Sequence, residues 1–284
     1  MQSSFIAVVI IMNILKDKKV KIGLIIFLVI LFVVLIIGGI SKNRSKEEPA
    51  PEEPTNIIIN DDVKKQLTKY VTELSTGPYC DFQSTIEFTN DCLFRNSKTQ
   101  RSNLTETYRL SSLILAIGES KENNIMVGNI TIDGKAMYNP SYVNLVEVEK
   151  EYSLLYGKNE KFNPESVNAI TKYNIKYDKS KEKFFYQELE TTAFMKTYVE
   201  AFESTPTTVT VHVRAGYITY ELYKYHLYNT KDKNKEIVSV TNREYKEKGI
   251  INEENAFELP EYKFTFIKEE ETNNLIFTGV ELLA

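Results

Sequence analysis

A run of nineteen residues without a polar side chain, at positions 22–40, constrains the fold more than any other feature of the sequence. It contains seven Ile, four Leu, three Val, two Phe and three Gly. As an α-helix it would be about 28 Å long, which matches a bilayer hydrocarbon core of about 30 Å. A buried core helix is a weak alternative, because helices of globular proteins need a polar face. The sequence therefore predicts a transmembrane helix at 22–40.

A cleaved signal peptide is the stronger alternative for this run. Signal peptides have an apolar region of about 7–15 residues that ends in small residues at a cleavage site. Here the run is longer and no Ala-x-Ala pattern follows, although Gly38 and Gly39 are small residues at its end. We therefore expect an uncleaved signal anchor and a cell-membrane location.

Basic residues on both sides of the run set its orientation only weakly. A short N-terminus before a long C-terminal part is typical of a signal anchor, so we expect a cytoplasmic N-terminus and an extracytoplasmic C-terminal domain. The flanking basic residues are Lys16, Lys18, Lys19 and Lys21 before the run and Lys42, Arg44 and Lys46 after it.

The net charge of −4 hides an asymmetry between the two parts of the chain. Residues 1–46 carry seven basic residues and one acidic residue, which leaves a net charge of −10 on residues 47–284. An acidic domain repels phosphate backbones and anionic lipid headgroups. We therefore exclude nucleic acid as a partner and expect the lipid bilayer to be contacted through residues 22–40.

Composition divides the chain into four segments. Residues 1–21 form a short cytoplasmic N-terminus and residues 22–40 the transmembrane helix. Residues 41–57 include three prolines and four glutamates. Proline opposes helix formation and like charges repel, so this segment is predicted to be an extended linker. Residues 58–284 then form the extracytoplasmic domain.

Periodicity within the domain predicts helices first and strands later. A helix is expected to begin at the Asn60 cap and to run to about residue 74, because apolar residues recur there at helical spacing. Three more helices are expected at 102–117, 141–156 and 191–202. Gly157 directly follows the predicted helix at 141–156, and a glycine in this position is typical of a helix end.

The strand signals lie mainly in the second half of the chain. Residues 173–187 indicate a hairpin, and 262–267 with 275–283 a second strand pair. Residues 207–228 indicate a long strand or a strand pair in which the apolar positions change from odd to even. A period of two cannot change phase without an extra residue, so we expect a bulge or bend near Gly216.

These elements predict an α+β fold in which the N-terminal transmembrane helix precedes helices packed on a curved antiparallel sheet. The element order over about residues 100–284 is similar to that of NTF2-like or cystatin-like domains. The basic tail, anchor, acidic linker and Tyr-rich domain together resemble the layout of single-pass anchored surface proteins of low-GC Gram-positive bacteria. That resemblance implies a cell-surface location and no particular activity.

Cys80 and Cys92 are the only cysteines. In an extracytoplasmic domain we expect them to form a disulfide, and two free thiols are the alternative. A third hypothesis is a catalytic thiol, because sortase transpeptidases combine Cys, His and Arg and this chain contains His212 and Arg214. The order of the residues does not match, since the cysteines precede the histidine, and His212 and Arg214 alternate with valines as on the outward face of a strand.

No other pattern in the sequence predicts chemistry. Two histidines and two scattered cysteines do not supply the four ligands of a zinc site at motif spacing. Glycine-rich phosphate loops and the Gly-x-Ser-x-Gly motif are absent from the sequence. We therefore expect no catalytic residue, no cofactor and no metal. A pair of carboxylates facing one cleft, as in glycoside hydrolases, is left open.

Tyrosines crowd the strand region around Gly216. Tyr217, Tyr220 and Tyr223 are the candidate binding surface, because Tyr combines rigid apolar area with one hydrogen-bonding end. The alternative is a sheet surface half covered by helices, which the β propensity of Tyr already explains.

The sequence as a whole predicts a membrane-anchored extracytoplasmic binding or interaction domain, whose partner is an envelope polymer or a protein. One alternative is a cell-envelope enzyme, either a Cys-dependent transpeptidase or a carboxylate hydrolase. The other is an accessory subunit of a membrane complex.

Overall fold

The computed structural model describes residues 55–76, 93–94, 96–120, 127–169, 175–187, 193–230 and 235–283. They belong to one compact unit, Thr55–Ala284. The apolar run 22–40, most of the linker, and both Cys80 and Cys92 lie outside the described residues. The expectations for those segments therefore stay predictions.

Twelve strands and four α-helices make up the described part of the chain. The strands are β1 Lys98–Gln100, β2 Ile130–Ile132, β3 Lys135–Met137, β4 Ser141–Asn144, β5 Lys176–Asp178, β6 Lys183–Tyr186, β7 Ala193–Ser204, β8 Thr208–Glu221, β9 Lys224–Asn229, β10 Glu236–Thr241, β11 Glu261–Lys268 and β12 Leu275–Leu282. The helices are α1 Asp61–Ser75, α2 Glu106–Ser120, α3 Leu145–Tyr156 and α4 Asn242–Lys248.

The strands form three antiparallel sheets. The main sheet has the order β1-β12-β11-β8-β9-β10, with β7 paired to β8. A three-stranded sheet has the order β4-β6-β5, and β2 pairs with β3 in a two-stranded sheet. All of these pairs are antiparallel. Strands β4 and β5 lie on either side of β6, so they are parallel to each other, and the chain runs from β4 to β5 through helix α3.

Strand β8 organises the main sheet. Along one edge it pairs with β7 over almost its whole length. Along the other edge it pairs with β11 as far as Arg214 and with β9 from Gly216 onward. The sheet therefore branches at this point, and the far end of β8 belongs to an arm made of β8, β9, β10 and the beginning of β7.

Two apolar clusters cover opposite faces of β8. The larger cluster joins the odd-numbered residues of β8 from Val209 to Tyr217 to the helices α1, α2 and α3. The smaller cluster covers the even face at the far end and consists of Ile218, Leu227, Ile250 and Leu259, with Tyr225 and Tyr245 among the residues packed on it. The far end of β8 is consequently buried on both faces, from Ala215 to Thr219.

The predicted helix at 191–202 is wrong, because its described residues, 193–202, belong to strand β7. An extra residue, Glu200, forms a bulge between the pairs Val199–Val213 and Ala201–His212. The bulge places Met195, Val199 and Phe202 on the same face of the strand, against the main core. Their spacings of four and three imitate an amphipathic helix, which explains the error.

A bulge or bend is predicted near Gly216, and the pairing shows that there is no bulge. The pairing of β8 with β7 and β9 continues through this region without a shift in β8. The apolar positions change phase because Ile218 faces the second cluster on the other side of the sheet. Gly216 makes room for that cluster, since a Cβ there would lie 2.5 Å from Cδ1 of Leu227.

The predicted fold class must be corrected as well. We expected α+β, with a transmembrane helix followed by helices on one curved sheet, whereas the described structure is mostly antiparallel sheet in three separate sheets, with four α-helices. No helix in the described ranges is long and apolar enough to cross a membrane. The difference arises because one predicted helix is β7 and because the first four residues of another, 141–144, form β4.

Several individual elements are confirmed. Helix α1 begins after Asn60, whose side chain accepts a hydrogen bond of 2.9 Å from the Val63 amide. Helices α2 and α3 lie within a few residues of their predicted positions, and Gly157 ends α3 with φ +112°. The strand pairs β5–β6 and β11–β12 are also present.

Candidate functional site

The three candidate tyrosines do not share one surface. Tyr217 lies on the helix-covered face of β8, is only 4% exposed and belongs to the main core. Tyr220 lies on the opposite face, where it is half-buried. Tyr223 lies beyond the end of the strand, and 85% of its surface is exposed. The structure therefore brings Tyr220 and Tyr223 to the same end of the sheet and leaves Tyr217 in the interior.

A two-residue turn connects β8 to β9 at this end. Glu221 pairs with Lys224, so Leu222 and Tyr223 alone form the loop. Their φ angles are +49° and +65°, which makes this a type I′ turn. Such turns favour Asn-Gly or Asp-Gly, because other residues are strained at positive φ. Leu222 is 89% exposed, so neither apolar side chain is packed against the domain.

Three tyrosine rings pack against one another at the base of the turn. The ring centroids of Tyr220 and Tyr225 lie 4.7 Å apart, and those of Tyr225 and Tyr245 lie 4.1 Å apart at an angle of 23°. Phe194 of β7 meets the last two rings edge to face, at 6.4 Å and 6.5 Å. We call the turn residues together with the three tyrosines at its base the aromatic tip; it consists of Tyr220, Leu222, Tyr223, Tyr225 and Tyr245.

Helix α4 holds Tyr245 in this stack. The helix begins directly after β10, where Thr241 and Glu244 form a capping box. The Thr241 amide and hydroxyl both donate to the Glu244 carboxylate at 2.8 Å. These hydrogen bonds lower the pKa of Glu244, with the backbone bond as the largest cause. Thr241 also pairs with Lys224 across β9 and β10, so the cap fixes the helix beside the turn.

No family model, curated protein or solved structure matches this chain.

A second group of polar side chains lies on the outward face of the main sheet, as predicted for His212 and Arg214. Nδ1 of His212 lies 2.8 Å from Oε1 of Glu261, and its Nε2 lies 3.4 Å from Glu203. Arg214 lies between Glu200 and Glu261, at 2.8 Å and 2.9 Å. The bulge in β7 brings Glu200 to this network.

Charge in this network acts on the histidine. Burial lowers the pKa of His212, but the hydrogen bond with Glu261 and the attraction of Glu203 and Glu261 outweigh it and the pKa is raised. The network ties β7, β8 and β11 together by ion pairs. In the ranges that the structure describes, no three His, Cys, Asp or Glu side chains are grouped so as to hold a metal ion.

A buried carboxyl group lies between helices α1 and α3. Glu73 is 3% exposed, its Oε1 lies 3.4 Å from Nζ of Lys69, and its Oε2 has no hydrogen-bond partner. Lys69 also pairs with Glu151 of α3. Burial raises the pKa of Glu73 to about 7, against the attraction of Lys69 and with a further rise from Glu151. This carboxyl group is therefore partly protonated at neutral pH.

Leu222, Tyr245 and Glu73 were missed by sequence reasoning. Glu221 and Lys224 were a signal for the turn, because opposite charges flank two residues at the point where apolar alternation stops. The residues Leu222 and Tyr223 do not indicate the turn, since neither is Gly, Asn or Asp and Tyr favours strands. The position of Tyr245 depends on the fold of residues 235–259, and no local pattern indicates it.

Proposed function

We propose that this chain is an extracytoplasmic binding domain, attached to a membrane through the apolar run 22–40, and that it binds its partner through the aromatic tip. The exposure of Leu222 and Tyr223 in a type I′ turn is the observation that carries the proposal. Strained backbone at an exposed site is a recognised sign of function, because folding alone would select other residues there. The membrane attachment and its orientation are supported by the sequence.

Most exposed apolar side chains of the domain give weaker support for a binding surface than Leu222 and Tyr223 do. In the described residues, the large exposed apolar side chains are Ile58, Tyr138, Val146, Leu222, Tyr223, Phe257 and Ile267. Single exposed apolar residues are normal on a protein surface. Leu222 and Tyr223 differ because they are adjacent, are the two most exposed of the set and share one turn.

The envelope-enzyme alternative has less support. His212 and Glu261 form a hydrogen-bonded pair that could position a general base. That pair is partly buried on the sheet face, with Arg214 and two further glutamates as its charged neighbours. These contacts are ion pairs and include no nucleophile. The cysteines that a transpeptidase would need lie outside the described residues.

Protease accessibility tests the location. A full chain with an N-terminal and a C-terminal epitope tag is expected to remain with the membrane fraction after a carbonate wash. On intact spheroplasts, added protease should remove the C-terminal tag and spare the N-terminal one. Loss of the N-terminal tag alone, or recovery of the chain in the soluble fraction, would contradict the proposal.

Retention of envelope material tests the binding. The immobilised full chain is incubated with detergent-solubilised cell envelope, alongside full chains that carry Leu222→Ala with Tyr223→Ala, or Tyr138→Ala. Tyr138 is a matched control, because it is an exposed tyrosine in a different hairpin. The tip substitutions should abolish retention that the control keeps. Equal retention by all three chains would rule out the tip as the binding surface.

A further inference from the structure

We infer that the aromatic tip is a preformed wedge that enters an apolar pocket of a protein, and that this protein lies on the side of the domain opposite to the point where the chain enters it. This inference rests on the proposed function and names the class of partner. Direction, turn geometry and charge each support it.

The direction of the tip follows from β8. The Ile57 amide donates a hydrogen bond of 3.0 Å to the Thr205 carbonyl, in the turn just before β8. The chain therefore enters the described domain beside the beginning of this strand, and the tip lies at its end. The fourteen residues Thr208–Glu221 span roughly 40 Å at about 3.3 Å per residue. The tip consequently points away from the entry point.

The turn geometry favours a shaped pocket over a lipid bilayer. A fluid bilayer accepts exposed Leu and Tyr side chains in any turn, so it gives no reason to hold both residues at positive φ. A pocket with fixed walls rewards one arrangement of the two side chains, and a rigid ligand loses less freedom on binding. Tyr and large apolar side chains that fill pockets are typical anchors of protein interfaces.

The base of the tip supplies that rigidity. Tyr225 is held between Tyr220 and Tyr245, at centroid distances of 4.7 Å and 4.1 Å. Below it, Leu227 belongs to the second apolar cluster and packs over Gly216. The turn is therefore mounted on a packed base, and binding does not have to order it.

Charge also disfavours membranes and anionic wall polymers. Glu221 lies directly opposite Lys224 at the base of the turn. On α4, Nε of Arg243 lies 2.9 Å from Oε1 of Glu247. With Glu244, Lys246 and Lys248 of α4 included, the turn and this helix carry four basic and three acidic side chains, a net charge of +1, while residues 47–284 as a whole carry −10. Such a domain is repelled by anionic surfaces, and an uncharged apolar pocket is the better match for its tip.

Site-specific photocross-linking in the host cells tests the partner class. The full chain is produced with benzoylphenylalanine in place of Tyr223, or in place of Tyr138 as a matched exposed control. A second, untagged full chain is overproduced in the same cells, either unchanged or with Leu222→Asn and Tyr223→Gly. Adducts are identified by mass spectrometry as protein, lipid or polysaccharide.

We expect a protein adduct at position 223 that is missing at position 138. A roughly tenfold excess of the unchanged competitor should lower its yield about tenfold, and the same excess of the substituted competitor should leave it unchanged. If only lipid or polysaccharide adducts formed, the inference of a protein partner would be overturned, but the proposal that the tip binds a partner would stand. Protein adducts that both competitors suppress equally, or no adduct above the control, would overturn both the inference and the use of the tip for binding.

Discussion

Two hairpins of this protein have the same two-residue turn with opposite sequence chemistry. Between β2 and β3, Asp133 and Gly134 have φ angles of +49° and +77°. Between β8 and β9, Leu222 and Tyr223 have φ angles of +49° and +65°. Asp-Gly is among the sequences that a type I′ turn favours, because Gly is unstrained at positive φ and Asp tolerates it.

The two turn sequences differ in whether they suit the backbone conformation that both turns share. The β2–β3 turn connects a short hairpin whose Ile132 and Met137 pack against Phe185, and its sequence agrees with its backbone. The β8–β9 turn conflicts with its backbone and exposes two large apolar side chains. The long pairing of β8 and the tyrosine stack hold it in place. Natural sequences are locally consistent except where function intervenes, so this conflict indicates function.

The largest expected effect concerns binding. Leu222→Ala and Tyr223→Ala should each weaken partner binding about 30-fold or more, because pocket-filling anchors contribute about 2–4 kcal/mol. Quantitative retention of envelope material over a range of concentrations measures this. Tyr138→Ala is the control and should change binding less than about twofold. Similar losses at all three positions would remove the distinction between the tip and the rest of the surface.

The next largest effect is on the free energy of unfolding and comes from Glu73. It makes stability depend on pH, so the two turns must be compared at one fixed pH. The pKa of Glu73 is raised on folding, from 4.5 to about 7. Its contribution to stability is therefore complete below about pH 4.5 and is lost as the pH rises through 7. The loss is at most about 3 kcal/mol in the free energy of unfolding.

Glu73→Gln should remove this component of the pH dependence and stabilise the protein at pH 8. Denaturant unfolding at pH 5 and pH 8 measures it. Glu165→Gln, which changes an exposed carboxylate, should leave the wild-type profile in place. Substitutions in either turn should shift the profile without changing its shape. If Glu73→Gln left the difference between pH 5 and pH 8 unchanged, the buried carboxyl would not be its source.

The third prediction concerns the β2–β3 turn when it is given the Leu-Tyr sequence of the β8–β9 turn. Asp133→Leu with Gly134→Tyr should reduce the free energy of unfolding by about 2 kcal/mol, because a side chain at positive φ is strained. Thermal unfolding of the full chain in detergent measures the loss, and Thr131→Ser at an exposed position of the same hairpin is a control. No loss would mean that this fold accepts large residues in type I′ turns without strain.

The favourable exchange has the smallest expected effect. Leu222→Asn with Tyr223→Gly should increase the free energy of unfolding by about 1 kcal/mol, since it removes strain and the added flexibility of Gly in the unfolded chain offsets only part of the gain. The midpoint of denaturant unfolding at pH 5, where Glu73 is largely protonated, measures it. The single substitution Leu222→Ala should give no comparable gain, because Ala is also strained at positive φ.

Local signals in the sequence predicted some elements well. The Asn60 cap and the apolar spacing after it predicted α1, and Gly157 predicted the end of α3. The strand β7 was missed because Glu200 interrupts its alternation and produces helical spacing. The phase change in β8 was explained wrongly, because burial of both faces removes the alternation that indicates a single buried face.

The candidate site was predicted only in part. The chemistry of Tyr predicts Tyr220 and Tyr223 as site residues, and the structure places both at the aromatic tip. The same chemistry predicts Tyr217, but its position in the alternation of β8 directs it into the main core. The role of Tyr245 and the pKa of Glu73 depend on residues distant in sequence. A single sequence contains no signal for such contacts.

One measurement tests the central claim, that the β8–β9 turn is kept for binding against the preference of the fold. Stability and partner binding are determined on the same preparation of the full chain that carries Leu222→Asn and Tyr223→Gly. We predict opposite changes: a higher free energy of unfolding and loss of binding. Unchanged binding, or stability and binding that fall together, would contradict the account.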